Sequence, residues 1–318
     1  MTRQLAPRPS TKPTKPGPAD TSRRRRWTQR TRRDFLVFLA LALPNLVLIA
    51  VFTYRPLISN IYYSTLDWTL GSPSATVVGI NNYVTFFTSD DASKVLGTTA
   101  IFTVVTVGGS MILGLLIALA LNAKVRGTTF ARSAVFAPYV LSGVGVGLVW
   151  LFIFDPGYGV LAWLLRGIGQ QSPQWINDPQ LSLVMVILVY VWKNLGYCAV
   201  VYLAGLQSLP QDVMEAASLD GANGFRRFIT MSLPLLSPTT FFLLITSMLS
   251  SLQAFDLIRI MTPLGTGTST LIYEAYLQAF GAFNRAGYSA AISVILFAIL
   301  LVITVVQLRF VERKVHYS

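Results

Sequence analysis

The chain has only one cysteine, one histidine and thirteen acidic residues among its 318 residues. Cys198 has no second cysteine to pair with, so no intrachain disulfide can form, and His316 lies near the C-terminal end. A zinc cluster, a thiol enzyme or a histidine-based enzyme would need more of these residues. The chain also lacks a GxxxxGKS or GxxxxGKT loop, so it cannot by itself bind ATP in the P-loop manner. We therefore expect a protein that is not an enzyme.

Apolar residues dominate the composition. They make up 53% of the chain, charged residues make up 12%, and the mean hydropathy is +0.58. These values are typical of an integral membrane protein. The net charge of +12 would suit a nucleic-acid binder, but eleven of the twenty-five Lys and Arg residues lie within residues 1–33. The others are scattered between apolar runs, so we expect contact with membrane lipids and no nucleic-acid partner.

Six apolar runs of about twenty residues have the length that crosses a bilayer core. They are Phe35 to Tyr54, Thr98 to Asn122, Ser133 to Phe154, Leu181 to Leu203, Leu235 to Ile258, and Tyr288 to Leu308. A shorter run, GVLAWLLRGIG, lies between the third and fourth and predicts a loop with an interfacial helix. The fold class is therefore an all-α polytopic membrane protein with six transmembrane helices.

The basic residues predict the orientation. Residues 1–33 are rich in proline and arginine and are predicted to be a disordered basic tail, with the membrane domain at 34–318. If the six runs all cross the membrane, nineteen Lys and Arg lie on the side of the two termini and five on the other side. The positive-inside rule then predicts that both termini are cytoplasmic.

The longest polar interruption on the predicted cytoplasmic side covers about residues 207–234. A short helix should end near Asp220, because Gly221 can adopt the left-handed conformation that terminates helices. Asn223 can cap a second helix whose apolar residues share one face. Pro234 then marks the start of the fifth span. The predicted unit is a rigid helix-turn-helix on the cytoplasmic surface.

The sequence of this interruption resembles a known family. Glu215, Ala216 and Ala217, followed by Gly221 and then by Leu233-Pro234, resemble the EAA loop of permease subunits of bacterial ABC importers. Met231 stands where that loop usually has isoleucine. The resemblance implies a coupling helix that binds the ATPase subunit. The coupling residues it implies are Glu215, Ala216, Ala217, Asp220, Gly221 and Arg226, although Arg226 and Arg227 can equally reflect only the positive-inside rule.

Other segments narrow the resemblance. VGINNYVTFF before the second span resembles carbohydrate-type permeases of the maltose-transporter class. VWKNLGY, LQSLP, EAASLDGA, RRF, LPLLSP, TLIY and TVVQLRFVERKV resemble the A-type permeases of sn-glycerol-3-phosphate importers. The resemblance implies a type I ABC importer permease fold in a bacterial cytoplasmic (inner) membrane, and a substrate such as glycerol 3-phosphate or a glycerophosphodiester like glycerophosphocholine.

The same resemblance implies the partners. They are a second, related permease subunit that forms a heterodimer with this chain, two ATP-binding subunits, and an extracytoplasmic substrate-binding protein. No cofactor is expected on this chain, since ATP and Mg would be bound by the partner ATPase. A permease for maltose or trehalose is the main alternative. A secondary transporter, which would need no ATPase, is a remote one.

Lys193 is the one ionisable residue deep in a predicted span. A cation there costs about 2.5–3.5 kcal/mol on insertion scales, so it should face a cavity or a partner group and not lipid. Trp192, Asn194 and Tyr197 can lie on the same polar face. Lys193 would then line the substrate pathway and attract a phosphate, or it would make a structural hydrogen bond or salt bridge to a neighbouring helix. The sequence leaves both open.

Gln253, Asp256 and Arg259 lie at the outer end of the fifth span with i, i+3, i+6 spacing, roughly one helix face. They would line the cavity or form an outer gate, or Asp256 and Arg259 would form a local ion pair. The following PLGTGTST stretch, residues 263–270, is predicted to be a flexible external loop.

Overall fold

The computed structural model describes residues 29–123, 127–210, 224–281 and 283–311. The chain divides into two compact units, Met1–Pro56 and Leu57–Ser318. The described part of the first unit is helical. It begins with α1 at Gln29, inside the segment predicted to be the tail, and its apolar side chains from Phe35 onward are mostly exposed. An exposed apolar helix of this length suits a lipid environment.

Helices form almost all of the described chain. In chain order they are α1 Gln29–Ile49, α2 Arg55–Tyr63, α3 Asn81–Thr88, α4 Asp90–Leu121, α5 Thr128–Val140, α6 Gly143–Phe154, α7 Val160–Gly167, α8 Pro179–Gln207, α9 Gly224–Arg227, α10 Leu233–Leu235, α11 Ser237–Leu252, α12 Asp256–Met261, α13 Leu271–Phe280 and α14 Ala286–Val306. Segments of π-helix cover Ala50–Tyr54, Phe228–Ser232 and Gln307–Val311. A two-stranded antiparallel sheet pairs β1 Leu66–Asp67 with β2 Thr76–Val77, with Leu66 opposite Val77.

Five helical segments in the described chain are long and apolar enough to cross a membrane. They are Arg33–Tyr63, Asp90–Leu121, Pro179–Gln207, Ser237–Met261 and Ala286–Arg309. Five of the six predicted spans fall largely within them. The remaining predicted span, Ser133 to Phe154, corresponds to α5 and α6, which bend by 98° at a short break. The count is therefore six only if this bent pair is one span.

The break between α5 and α6 corrects the prediction of a continuous third helix. Leu141 and Ser142 have ψ values of 146° and 134°, which are extended and not helical. Pro138 precedes them in the last turn of α5, where its ring removes a backbone N–H and destabilises the helix. The helical hydrogen bonding therefore stops at Val140 and starts again at Gly143.

Small residues allow the helices of the second unit to approach closely. A Cβ built on Gly114 of α4 would lie 2.5 Å from the Cβ of Cys198 on α8. A Cβ on Gly205 of α8 would lie 2.7 Å from Oγ1 of Thr239 on α11. Such small-residue crossings are characteristic of membrane helices, whose association depends on close packing and hydrogen bonds. The buried hydroxyls of Thr106 and Ser251 add a 2.8 Å hydrogen bond between α4 and α11.

Two connections differ in how well they were predicted. The run GVLAWLLRGIG contains α7, and Arg166 in its last turn donates a 2.9 Å hydrogen bond to the carbonyl of Gly157. The short helix in this loop is therefore confirmed. Residues 263–270 are not a freely flexible loop, because Thr262 and Thr268 share a 2.6 Å hydrogen bond and Tyr273 donates to the Pro263 carbonyl at 2.7 Å.

Candidate translocation pathway and coupling segment

Lys193 lies at the break between α5 and α6. Its ammonium donates a 2.8 Å hydrogen bond to the backbone carbonyl of Tyr139 and lies 5.5 Å from the centroid of the Tyr139 ring. Carbonyls in the last turn of a helix have no intrahelical donor, and the helix dipole favours a cation there. Lys193 therefore stabilises the C-terminal end of α5. The structure supports the structural role that the sequence left open, and it places the cation beside an interrupted helix.

Asn194 and Tyr197 line a small cavity of about 20 Å³, room for about one water molecule, between α4, α5, α8 and α11. Its lining residues are Thr106, Val107, Ser110, Tyr139, Tyr190, Asn194, Tyr197, Ser247 and Ser250. All except Val107 carry a polar group. The Tyr197 ring stacks on Tyr139 at 4.9 Å, and the Asn194 amide donates to the Tyr190 carbonyl at 2.8 Å. The structure thus brings two of the predicted pathway residues together in a polar environment.

Trp192 lies elsewhere. Its ring packs edge-on against Trp150 of α6 at 5.3 Å, and it is not among the residues that line the cavity. Consecutive helical residues point about 100° apart, so Trp192, Lys193 and Asn194 cannot all share one direction. Of the predicted group on α8, only Asn194 and Tyr197 therefore line the cavity.

Sequence reasoning missed a row of buried hydroxyl groups on α4, of which Thr106 and Ser110 line this cavity. Thr99, Thr103, Thr106 and Ser110 are all buried, and their spacing places them on one face of α4. Thr99 accepts a 2.9 Å hydrogen bond from the backbone N–H of Leu271. The hydroxyls of Thr103 and Ser110 find no hydrogen-bond partner among the described residues. This polar stripe inside an apolar run was visible in the sequence.

The predicted single face at the outer end of the fifth span is wrong. The α11 helix ends at Leu252 and α12 begins at Asp256, so Gln253 lies in an interruption of the helix. Gln253 lines a groove beside α14, with Leu300 and Leu301 among its neighbours. The Asp256 Cβ instead would lie 3.3 Å from a Cβ built on Gly143, at the start of α6. The interruption turns the two side chains toward different elements.

The predicted ion pair between Asp256 and Arg259 is also wrong. Within the described residues, the one salt bridge within 4.0 Å joins Lys94 and Asp91, at 3.3 Å. Arg259 instead lies over two aromatic rings, with its guanidinium carbon 4.9 Å from the Tyr276 centroid and 5.9 Å from that of Phe255. An aromatic contact replaces the expected contact with an acid.

Most of the predicted coupling residues lie outside the described residues, namely Glu215, Ala216, Ala217, Asp220 and Gly221. Arg226 is described. It lies in α9 with an exposed side chain, and its carbonyl accepts a 2.8 Å hydrogen bond from Thr230. The chain then continues through a π segment and α10 to α11, so helical structure connects Arg226 to the fifth span.

A family model described as "Binding-protein-dependent transport system inner membrane component" matches residues 110–317. Among curated proteins, the chain is 37% identical over 281 residues to the sn-glycerol-3-phosphate transport system permease protein UgpA of Agrobacterium fabrum, covering 87% of this chain and 95% of that protein. The UgpA proteins of Rhizobium meliloti and Brucella abortus are each 36% identical, over 281 and 278 residues. Coverage is 87% of this chain and 95% of the relative for the first, and 86% and 94% for the second.

Two solved structures have a similar fold. One is a chain of a bacterial ABC transporter involved in the import of the acidic polysaccharide alginate, with a TM-score of 0.78, 22% identity, and coverage of 89% of this chain and 97% of that one. The other is a chain of the alginate transporter in complex with a periplasmic protein bound to an alginate pentasaccharide. Its TM-score is 0.76, with 22% identity and coverage of 87% of this chain and 94% of that one. At this identity the likeness concerns the fold alone.

Proposed function

The chain belongs to the family of binding-protein-dependent transport system inner membrane components, and on that premise we propose that it is the permease subunit of an ATP-driven importer for glycerol 3-phosphate. It is a multi-pass membrane protein and not an enzyme. The proposed substrate rests on one observation, the 37% identity to a glycerol-3-phosphate permease over 281 residues. Glycerophosphodiesters such as glycerophosphocholine are included in the proposed substrate class, because they share the glycerophosphate group.

The polar cavity beside Lys193 supports a transport role. In a membrane helix, buried polar residues are costly unless they face a partner group or a water-filled path. The cavity collects such residues from four helices, and it adjoins the break between α5 and α6. We propose that Asn194 and Tyr197 form part of this subunit's wall of the translocation pathway, with Lys193 holding the broken helix in position beside them.

The assembly that we propose has one copy of this chain paired with a related permease. Two ATP-binding subunits would bind the cytoplasmic loops, ATP and Mg would be held by those subunits, and this chain would need no cofactor. An extracytoplasmic binding protein would deliver the substrate. Both termini of this chain would be cytoplasmic, which follows from the excess of basic residues in those segments.

Transport would proceed by alternating access. Closure of the ATPase dimer around ATP would draw the two coupling loops together and open the cavity outward, and hydrolysis would reset it. In this chain we assign the contact to Glu215, Ala216, Ala217, Asp220 and Gly221, with Arg226 at the start of the return helix. A short helix of small residues can be held closely in a cleft, and the glycine permits the chain to reverse.

The substrate is tested with the full complex in proteoliposomes, together with its binding protein. Stimulation of ATPase activity and uptake would be measured with glycerol 3-phosphate, glycerophosphocholine, maltose and trehalose. We expect stimulation by the phosphate esters and none by the disaccharides. Stimulation and uptake with a disaccharide alone would overturn the proposed substrate and leave the permease assignment in place.

The coupling assignment has a separate test. Glu215→Ala and Gly221→Leu should leave the ATPase subunit active and abolish substrate-dependent stimulation and uptake, because the loop no longer transmits closure. Asp91→Asn is the matched control, since Asp91 is an exposed acid on the predicted opposite side whose one described ion pair is with Lys94. Coupled uptake at the wild-type rate in both loop variants would refute the assigned role.

A further inference from the structure

The transport role proposed above assigns no function to Arg259. It lies on α12 with an exposed side chain, and its guanidinium packs over the rings of Phe255 and Tyr276. Because a guanidinium is planar and stacks on aromatic faces, two rings restrict its position while leaving N–H groups available to a ligand.

The aromatic platform beneath Arg259 is itself held in place. Tyr276 stacks on Tyr273 at 6.0 Å with an interplanar angle of 14°, and Phe255 meets Tyr276 edge-on at 4.9 Å. Tyr273 is fully buried, and its hydroxyl donates a 2.7 Å hydrogen bond to the Pro263 carbonyl. The position of the guanidinium is therefore set by packed rings from α13 and from the residue before α12, and not by a flexible surface contact.

Arg259 also differs from three of the other four cations of the predicted outer segments. Lys94 pairs with Asp91 at 3.3 Å, Arg166 donates to the Gly157 carbonyl at 2.9 Å, and Arg285 donates to Oε1 of Gln278 at 2.6 Å. In the part of the chain that the structure describes, the Arg259 guanidinium donates no hydrogen bond to an oxygen atom and forms no ion pair. Its five N–H donors are available to an anion.

Resting on the function proposed above, we propose that Arg259 binds the phosphate group of the substrate at the outer half of this subunit and sets its preference for phosphate esters. A guanidinium matches the geometry of a phosphate with two parallel hydrogen bonds, which an ammonium cannot reproduce. Lys193 is less suited to this task, because its ammonium already donates to the Tyr139 carbonyl. Phosphate recognition in this chain therefore belongs to Arg259.

The test uses the full complex in proteoliposomes with saturating binding protein and radiolabelled glycerol 3-phosphate. Arg259→Gln should lower uptake by about tenfold or more, since hydrogen bonds to charged groups are among the stronger ones. Arg259→Lys keeps the charge but loses the paired geometry and should recover only part of the rate. Lys94→Gln, which removes another outer cation, should match wild type. Copurification of the ATPase subunit verifies assembly of each variant.

Three outcomes would contradict this inference, and they differ from one another. Uptake at the wild-type rate by Arg259→Lys would overturn the paired phosphate contact. This variant is informative because it keeps the positive charge above the aromatic rings. In the absence of substrate, Arg259→Gln could require more binding protein for half-maximal stimulation of the ATPase. That result would show that Arg259 contacts a carboxylate of a partner protein. If wild type takes up no phosphate ester at all, the proposed function itself fails, and this inference with it.

Discussion

The contact between α5 and α8 is the most sensitive point of the candidate site, and Gly196 lies at its centre. A Cβ built on Gly196 would collide with the carbonyl oxygen of Val135, and it would lie 3.0 Å from the carbonyl carbon of Val135 and 3.2 Å from Cα of Phe136. All three atoms belong to the backbone, so rotation of a side chain cannot relieve the clash. Gly196→Ala must move the two helices apart.

The expected loss of stability can be judged from how little the backbone atoms at this contact can move. Inserting a methyl group into a well-packed contact usually costs about 1–3 kcal/mol, and a clash with backbone should fall in the upper half of that range. The same movement would lengthen the 2.8 Å bond from Lys193 to the Tyr139 carbonyl and separate the stacked rings of Tyr139 and Tyr197. We therefore expect Gly196→Ala to lose stability and uptake together.

Gly108→Ala is the matched control, because Gly108 lies inside α4 and a Cβ there would meet no atom within 4 Å. Alanine in a helix interior is favoured over glycine by about 0.5–1 kcal/mol, so this variant should be as stable as wild type or slightly more stable. Thermal unfolding of the detergent-purified complex and uptake in proteoliposomes measure both effects. If Gly196→Ala melts with wild type and transports normally, the close approach of α5 and α8 is refuted.

Three further substitutions test the same region. Lys193→Met removes the cation from the end of α5 and should cost about 1–2 kcal/mol and lower phosphate-ester uptake; normal melting and uptake of a correctly assembled complex would refute its role in holding the end of α5. Thr106→Val removes the 2.8 Å bond to Ser251 and should cost about 1 kcal/mol, whereas Ser110→Ala removes a buried hydroxyl without a described partner and should be neutral or stabilising. Thermal melting of both variants compares them, and equal losses would contradict the difference in hydrogen bonding.

Hydropathy located the membrane helices because a helix that crosses a bilayer needs an apolar run of a length set by the thickness of the hydrocarbon core. The predicted fourth span, Leu181 to Leu203, lies within α8, and the predicted sixth, Tyr288 to Leu308, nearly coincides with α14 and its terminal π segment. The break after Val140 was missed although Pro138 is a known signal for the end of a helix. An apolar run that continues through the break hides it from any window that averages hydropathy.

The partners of the charged residues were harder to predict, because they come from distant parts of the chain. Helical spacing placed Asp256 within reach of Arg259, and both lie in α12, but the Arg259 guanidinium packs over the rings of Phe255 and Tyr276 instead. The ring of Tyr276, which Arg259 contacts, lies on a different helix, so no local pattern announces it. Lys193 was recognised as unusual from its position alone, but its acceptor is a backbone carbonyl created by a helix break.

The two interruptions also determine what this side of the subunit can face. The break after Val140 and the interruption at Gln253 are neighbours, since Gly143 lies against Asp256 across them. Irregular backbone at membrane depth is tolerated only where it contacts protein or water, because lipid cannot satisfy its polar groups. Lys193 satisfies one such carbonyl, at Tyr139. This irregular backbone is therefore expected to contact protein or an aqueous path and not lipid, in agreement with the polar residues that line the cavity beside Asn194.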